Sequence, residues 1–247
     1  MPPPAGPPHP IDAPGTSEID WASWPGLTAM PELDLSGRDS VVVIAAHPDD
    51  EVLGAGGILA LLAAAGSRLR LVAVTDGEAS HPGADPGVLA RRRAGERAAA
   101  LSALGLPGAE VIRLGLPDSG VTAREEALTA ALRVLAAGFT TCLAPWEHDG
   151  HGDHEAAGRA AGRACGTVLF YPVWMWHWAR PADPRVPWHQ AARVRLPPEA
   201  RERKHAALGC FTSQAEDRPG GRGPVLAPGF LAHFGRTAEL LIRAAAP

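Results

Sequence analysis

The chain has 247 residues, hydrophobic residues at 46% of positions and a formal net charge of −4. That is enough for one domain with a substantial core, and it provides no electrostatic footprint for nucleic acid. Its three cysteines, Cys142, Cys165 and Cys210, are widely spaced without a CxxC pair, which argues against a disulfide framework or a thiolate zinc site.

Residues 1 to about 20 are rich in proline and read as an extended tail, part of an N-terminal extension over residues 1–40. Trp21, Trp24 and Leu27 pin the end of that tail onto the domain or meet a partner chain, and packing within the domain is the reading adopted. From residue 41 to 247 a single α/β domain is expected. Apolar runs predict strands at Val41 to Ala46, Leu69 to Thr75, Glu110 to Leu114, Thr140 to Ala144 and Thr167 to Tyr171. Helical patterns lie between them, over about Val52 to Ala65, Pro86 to Leu104, Ala123 to Ala137 and Asp153 to Ala164. This alternation predicts a Rossmann-like three-layer sandwich, with a mainly parallel central sheet covered on both faces. Beyond Tyr171 prolines are frequent and the pattern weakens, so a less regular C-terminal cap is expected. No apolar stretch is long enough to span a bilayer, and the N-terminus lacks the order of a signal peptide, so a cytoplasmic protein without a membrane partner is expected. A homo-oligomer is compatible with the sequence, which does not specify the oligomeric state.

Two clusters carry chemistry. His47-Pro-Asp-Asp-Glu51 follows the first apolar run directly, and Trp146-Glu-His-Asp-Gly-His-Gly-Asp-His-Glu155 follows the fourth. Helix capping explains one carboxylate well, but not a histidine followed by three acids. Both clusters emerge at the carboxyl ends of strands, where open α/β sheets bind ligands. If the later helix starts near Gly152, His154 lies in its first turn and His151 in the loop before it. His47, Asp50 and His154 form a nitrogen and oxygen donor set suited to zinc with a position left open.

The pair Ala46-His-Pro-Asp-Asp-Glu51 and His151-Gly-Asp-His154 resembles the LmbE-like or PIG-L family of zinc-dependent N-deacetylases. Weaker similarities run through Thr75-Asp-Gly-Glu78, Arg93-Ala-Gly-Glu96, Leu114 to Gly120 and Lys204 to Ser213-Gln214, so the resemblance covers residues 41 to 214. It implies removal of an acetyl group from N-acetylglucosamine-type sugars or glycoconjugates, small-molecule substrates. It also implies one Zn2+ held by His47, Asp50 and His154, with Asp49 deprotonating the attacking water. A protonated His151 stabilises the oxyanion, and Asp153 orients His151 or caps the helix. Glu51 supports the others. Arg93 and Asp118 match positions near the sugar, with a salt bridge or a cap as the structural alternative. Trp146 stacks on a sugar face, while Trp174, Trp176 and Trp178 line a wall or one face of a strand. His148 and Asp149 read as surface residues slightly ahead of an active-site role. Gly152 stands where the family often has proline, which loosens the loop. The competing readings are an amidase acting on a thiol conjugate or other non-sugar acyl amide, and a noncatalytic metal- or nucleotide-binding protein. Gly54-Ala-Gly-Gly57 lacks the GxGxxG spacing that the nucleotide reading needs.

Overall fold

A computed structural model describes residues 14–218 and 223–244, so most of the Pro-rich tail lies outside the described residues. The short helices α1 (Glu18–Ala22) and α2 (Pro25–Ala29) come first. They precede β1 (Ser40–Ala45), α3 (Asp50–Ala64), β2 (Arg68–Ala73), α4 (Pro86–Ala103) and β3 (Glu110–Arg113). Then follow α5 (Glu125–Leu135), β4 (Thr141–Pro145), α6 (Gly152–Ala164) and β5 (Val168–Tyr171). The C-terminal third contributes α7 (Met175–Trp178), β6 (Ala191–Arg195), α8 (Pro198–Leu208), α9 (Thr212–Ala215), α10 (Pro228–Leu231) and β7 (Ala238–Arg243).

The seven strands form one sheet in the order β3-β2-β1-β4-β5-β7-β6. β1 to β5 pair in parallel, as the alternating pattern predicts. The chain order reverses between β1 and β4, where Val41, Val42 and Val43 pair with Thr141, Cys142 and Leu143. A crevice opens at the carboxyl ends of strands at such a point, and it is flanked here by the two loops that carry the histidine and aspartate clusters.

The region after Tyr171 is more regular than its sequence pattern suggests. β7 pairs antiparallel with β5 and β6, so two more strands extend the sheet. β6 escapes a periodicity reading because it is an edge strand bearing Arg193 and Arg195, whose charges are typical of exposed edges. The tryptophan triplet is not a strand. Met175–Trp178 is one helical turn whose first amides are capped from the loop after β4.

The N-terminal segment packs within the chain. Trp21 is fully buried, its ring edge-on to Trp176 at 5.1 Å and its Nε1–H donating to the Trp176 carbonyl at 2.8 Å. Leu33 N–H donates to the Arg193 carbonyl, and Arg193 N–H returns a bond to the Pro31 carbonyl, tying this segment to β6.

α3 is kinked at Ala55, where φ is −141° and ψ is 16°. A kink frees backbone groups that must find partners. The amides of Gly57 and Ile58 donate to the Glu239 carboxylate at 2.8 and 2.7 Å, and Lys204 Nζ donates to the Leu53 carbonyl at 2.8 Å and to Glu239 at 2.7 Å. Glycine at 54 and 57 is required by close approach: a Cβ would stand 2.1 Å from the Tyr171 ring in one case and 2.4 Å from Leu196 in the other. Among the described residues no helix is long and apolar enough to cross a membrane.

Candidate active site

The buried strand β1 delivers His47 to the crevice two residues past its end. The His47 amide donates to Asp50 Oδ2 at 2.7 Å, closing a tight turn. The Asp49 carbonyl then accepts from the amides of Val52 and Leu53 to start α3. Asp49 itself has φ +135°, a backbone region that L-residues rarely adopt, which costs on the order of 1–3 kcal/mol and marks a constrained position. On the other side of the crevice His151 is the N-cap of α6, accepting the Asp153 amide on Nδ1 at 3.3 Å, and His154 lies one turn into the helix. The helix start near Gly152 and the different positions of the two histidines are as expected from the sequence.

Three donor atoms converge across the crevice. His47 Nδ1 lies 3.2 Å from His154 Nε2, His154 Nε2 lies 3.2 Å from Asp50 Oδ1, and His47 Nδ1 lies 3.5 Å from Asp50 Oδ2. Ligands placed about 2.0–2.1 Å from a tetrahedral zinc stand roughly 3.3 Å apart, so this donor set matches the ion in both chemistry and spacing. The opposite ring nitrogens are already engaged. His47 Nε2 faces Asp118 Oδ1 at 3.2 Å and Asp153 Oδ2 at 3.3 Å, and His154 Nδ1 donates to Asp149 Oδ2 at 2.8 Å. Carboxylates on the far nitrogens hold protons there, so Nδ1 of His47 and Nε2 of His154 are the atoms that would give up a proton to a metal ion. His151 offers a further nitrogen, and with His47 and His154 it forms a cluster whose ligand atoms lie within 4.8 Å of one another.

The electrostatics describe a site that calls for a cation. Burial opposes charge on His47, but Asp118, Asp153 and Asp50 outweigh it and hold the ring well above the usual histidine range. Burial likewise disfavours charge on His154, yet Asp50 and Asp149 raise it to about 9. Asp50 is held well below the ordinary carboxylate range despite burial, chiefly by His154. Protons on the two imidazoles thus supply positive charge that a bound metal ion would replace.

Asp49 differs from its neighbours. It is 5% exposed, and among the described residues its carboxylate bonds to Arg93 and to neither metal-facing histidine nitrogen. Burial drives its pKa up to about 7, against the pull of Arg93 and with repulsion from Asp50 and Glu51 adding to the rise. A carboxylate that changes protonation near neutrality is suited to general base work. Arg93 holds it: Nη2 donates to Asp49 Oδ2 at 3.1 Å and to the Pro48 carbonyl at 2.8 Å, while Nη1 donates to the Gly77 carbonyl at 2.8 Å. Arg93 lines the cavity, but its guanidinium serves first to anchor the base and its loop. Glu51, fully buried, accepts the Asp49 amide at 3.3 Å and pairs with Arg97 Nε at 3.3 Å. α4 therefore presents a buried charged stripe, Arg93, Glu96 and Arg97, with Glu96 receiving Ser213 Oγ at 2.6 Å and Ser213 N at 2.8 Å.

The structure corrects several expectations. The Asp153 carboxylate does not orient the His151 ring, which Asp153 meets only through its backbone amide; the carboxylate accepts the amides of Ser119 at 2.7 Å and Val121 at 3.1 Å and faces His47, pinning the loop after β3 against the site. His151 is not held protonated: burial, then the charges of His154 and His47, lower its pKa to about 3. With Nδ1 accepting the Asp153 amide, a neutral His151 carries its proton on Nε2 and remains a donor. Trp146 is 2% exposed, stacks on Trp178 at 6.4 Å and does not line the cavity, so its ring is core and not a sugar platform. Asp149 is fully buried, and the reading that places it on the surface fails; His148 is exposed. Asp118 does reach the cavity, with Oδ2 accepting the Ala79 amide at 2.8 Å and Oδ1 facing His47. The signal for Asp149 was its place in the short loop between the buried strand β4 and α6, the helix that carries His154.

The cavity over these groups has a volume of about 570 Å³. Its polar floor holds His47, Asp49, Asp118 and His151, and its far wall is apolar, with Trp174 stacked on Phe230 at 4.5 Å.

Fold and site together define an α/β protein with a candidate hydrolytic metal centre at the switch point of its sheet. The chain belongs to the PIG-L family of deacetylases: the family profile, described as GlcNAc-PI de-N-acetylase, matches residues 42–165. A curated relative, the 1D-myo-inositol 2-acetamido-2-deoxy-alpha-D-glucopyranoside deacetylase of Kineococcus radiotolerans, is 34% identical over 115 residues, covering 42% of this chain and 31% of that protein. The matched part is thus about a third of the length of that relative. A conserved protein from Thermus thermophilus superposes with a TM-score of 0.54 at 28% identity, over 71% of this chain and 80% of its own. The A40926 pseudoaglycone deacetylase Dbv21 shares the fold, with a TM-score of 0.62 at 21% identity over 85% of this chain and 100% of its own.

Proposed function

We propose that this protein is a zinc-dependent N-deacetylase that hydrolyses the acetamide of an N-acetylglucosamine-type sugar or glycoconjugate. The observation that carries the reading is the convergence of His47 Nδ1, Asp50 and His154 Nε2 beside Asp49, a buried carboxylate outside the donor set with a pKa of about 7. His47, Asp50 and His154 hold the ion, which when bound supplies Lewis acidity that polarises a carbonyl and acidifies water. Asp49 accepts a proton as water attacks the amide carbon, and Arg93 keeps its carboxylate aimed at the crevice. His151 Nε2–H donates to the oxygen that gains charge, a role a neutral imidazole can fill. The proton held on Asp49 is then available to the leaving amine. Asp118, at the cavity floor, offers a carboxylate to substrate hydroxyls. The Kineococcus radiotolerans relative is by name a deacetylase of a 2-acetamido-2-deoxy-glucopyranoside, and Dbv21 is by name a deacetylase of the A40926 pseudoaglycone, which supports the substrate class.

The test has two parts. Elemental analysis of the purified chain should find about one zinc per molecule, and His47→Ala or His154→Ala should lose it. A mass-spectrometric screen of N-acetylated amino sugars and their glycosides should show loss of acetyl. A metal-loaded protein inactive across that panel would transfer the reading to a non-sugar acyl amide or thiol conjugate.

A further inference from the structure

Asp149 joins two parts of the cavity that are otherwise separate. Its Oδ2 accepts from His154 Nδ1 at 2.8 Å and from the Trp174 amide at 2.9 Å. Its Oδ1 accepts from the amides of Val173 at 2.9 Å and Met175 at 3.0 Å, and its own carbonyl accepts Trp178 Nε1 at 2.7 Å. One fully buried carboxylate therefore satisfies a donor-site histidine and three consecutive backbone amides leading into α7. An asparagine could not replace it. Its NH2 would face N–H donors, and at least one of these buried groups would be orphaned.

The segment that Asp149 holds is the wall of the cavity. Trp174 lies between His151 and Phe230, its ring 6.5 Å from the first and 4.5 Å from the second. The far end of α7 is held by the N-terminal segment, through Trp21 Nε1–H to the Trp176 carbonyl and Thr16 N–H to the His177 carbonyl, both at 2.8 Å. With that end fixed, the position of Trp174 depends on the hydrogen bonds to Asp149.

We propose that Asp149 is a positioning residue that couples the metal ligand His154 to the wall built on α7, so that filling the metal site tightens the surface that meets substrate. The physical link is geometric. A metal ion held jointly by His47, Asp50 and His154 would replace two facing protonated rings with one fixed donor set, which locks the His154 ring, its Nδ1–H bond to Asp149 and, through that carboxylate, the three amides. The metal and the substrate wall rest on the deacetylase reading, but the coupling can be measured without turnover.

Hydrogen exchange at the amides of residues 173–175 is compared in the full-length metal-free protein with and without added zinc, for the wild type and Asp149→Asn. Zinc should slow exchange at these amides about tenfold in the wild type and leave them fast in the variant. Zinc affinity, from chelator competition, should fall about 10- to 100-fold in the variant. Exchange at 173–175 that does not respond to zinc in wild-type protein overturns the coupling, and needs no variant to fold. Wild-type zinc affinity in Asp149→Asn overturns it as well. Zinc-linked protection in a protein that releases no acetyl would support the coupling while sinking the deacetylase assignment, so the two failures are distinct.

Discussion

Replacing Asp49 by asparagine should slow catalysis and stabilise the metal-free protein at the same time. The carboxyl is 5% exposed and surrounded by Asp50 and Glu51, so the folded chain keeps its proton up to a pH of about 7, against an ordinary value of 3.8. A folded-state pKa above the unfolded one means that the native protein binds more protons, so stability falls as pH rises from about 4 to about 7. Above that window, ionising Asp49 costs at most roughly 4 kcal/mol. Between about pH 5 and pH 8 the advantage of Asp49→Asn over wild type should therefore grow by roughly 3 kcal/mol, or roughly 6–12 °C in melting temperature for a chain of this size. The pull of Arg93 is already contained in the value of about 7, and comparing two pH values cancels any pH-independent difference between the carboxylic acid and the amide. The assay is urea or thermal unfolding of the metal-free proteins at both pH values. Turnover of the metal-loaded variant should fall about 10²- to 10⁴-fold. A stability difference that stays constant with pH would show that Asp49 ionises in the ordinary range and refute the argument for a poised base.

Three further outcomes follow from the same structure. Zinc should displace protons from His47 and His154, so its affinity should weaken as pH falls below about 9; calorimetry near pH 7 should show close to two protons released per ion, and release of none would contradict the carboxylate-held imidazoles. Arg93→Leu removes the main group opposing protonation of Asp49, so the acid limb of kcat/KM should move to higher pH, and an unmoved limb would show that Arg93 does not tune the base. Lys204→Met leaves Glu239 buried without its cation at the α3 kink, which should destabilise the protein by about 3–5 kcal/mol in urea melts; a loss under about 1 kcal/mol would mean that the kink does not depend on the pair.

The parallel half of the fold was legible chiefly because β1, β4 and β5 are buried on both faces and read as continuous apolar runs. Val41 to Ala46 and the runs at Leu69 and Thr140 read as strands within a residue or two of their observed bounds, and the helices between them likewise. The C-terminal third was not legible. β6 is a five-residue edge strand, Ala-Ala-Arg-Val-Arg, too short and too charged to stand out, and α7 owes its single turn to a cap from a residue some twenty-five positions earlier. Neither fact leaves a local periodic trace.

A similar division runs through the site. His47, Asp50 and His154 offer a metal donor set by residue type, while the base role of Asp49 and the oxyanion role of His151 are what the family resemblance implies. What the linear order could not assign was which nitrogen faces which carboxylate. Asp153 turns to the loop after β3, Asp149 turns inward to His154, and His151 loses its charge because two other imidazoles and the protein interior surround it. Identity and spacing set the inventory of reactive groups. Protonation, orientation and the division of labour among them depend on burial and on partners distant in sequence, and these exist only once β1 and β4 lie side by side.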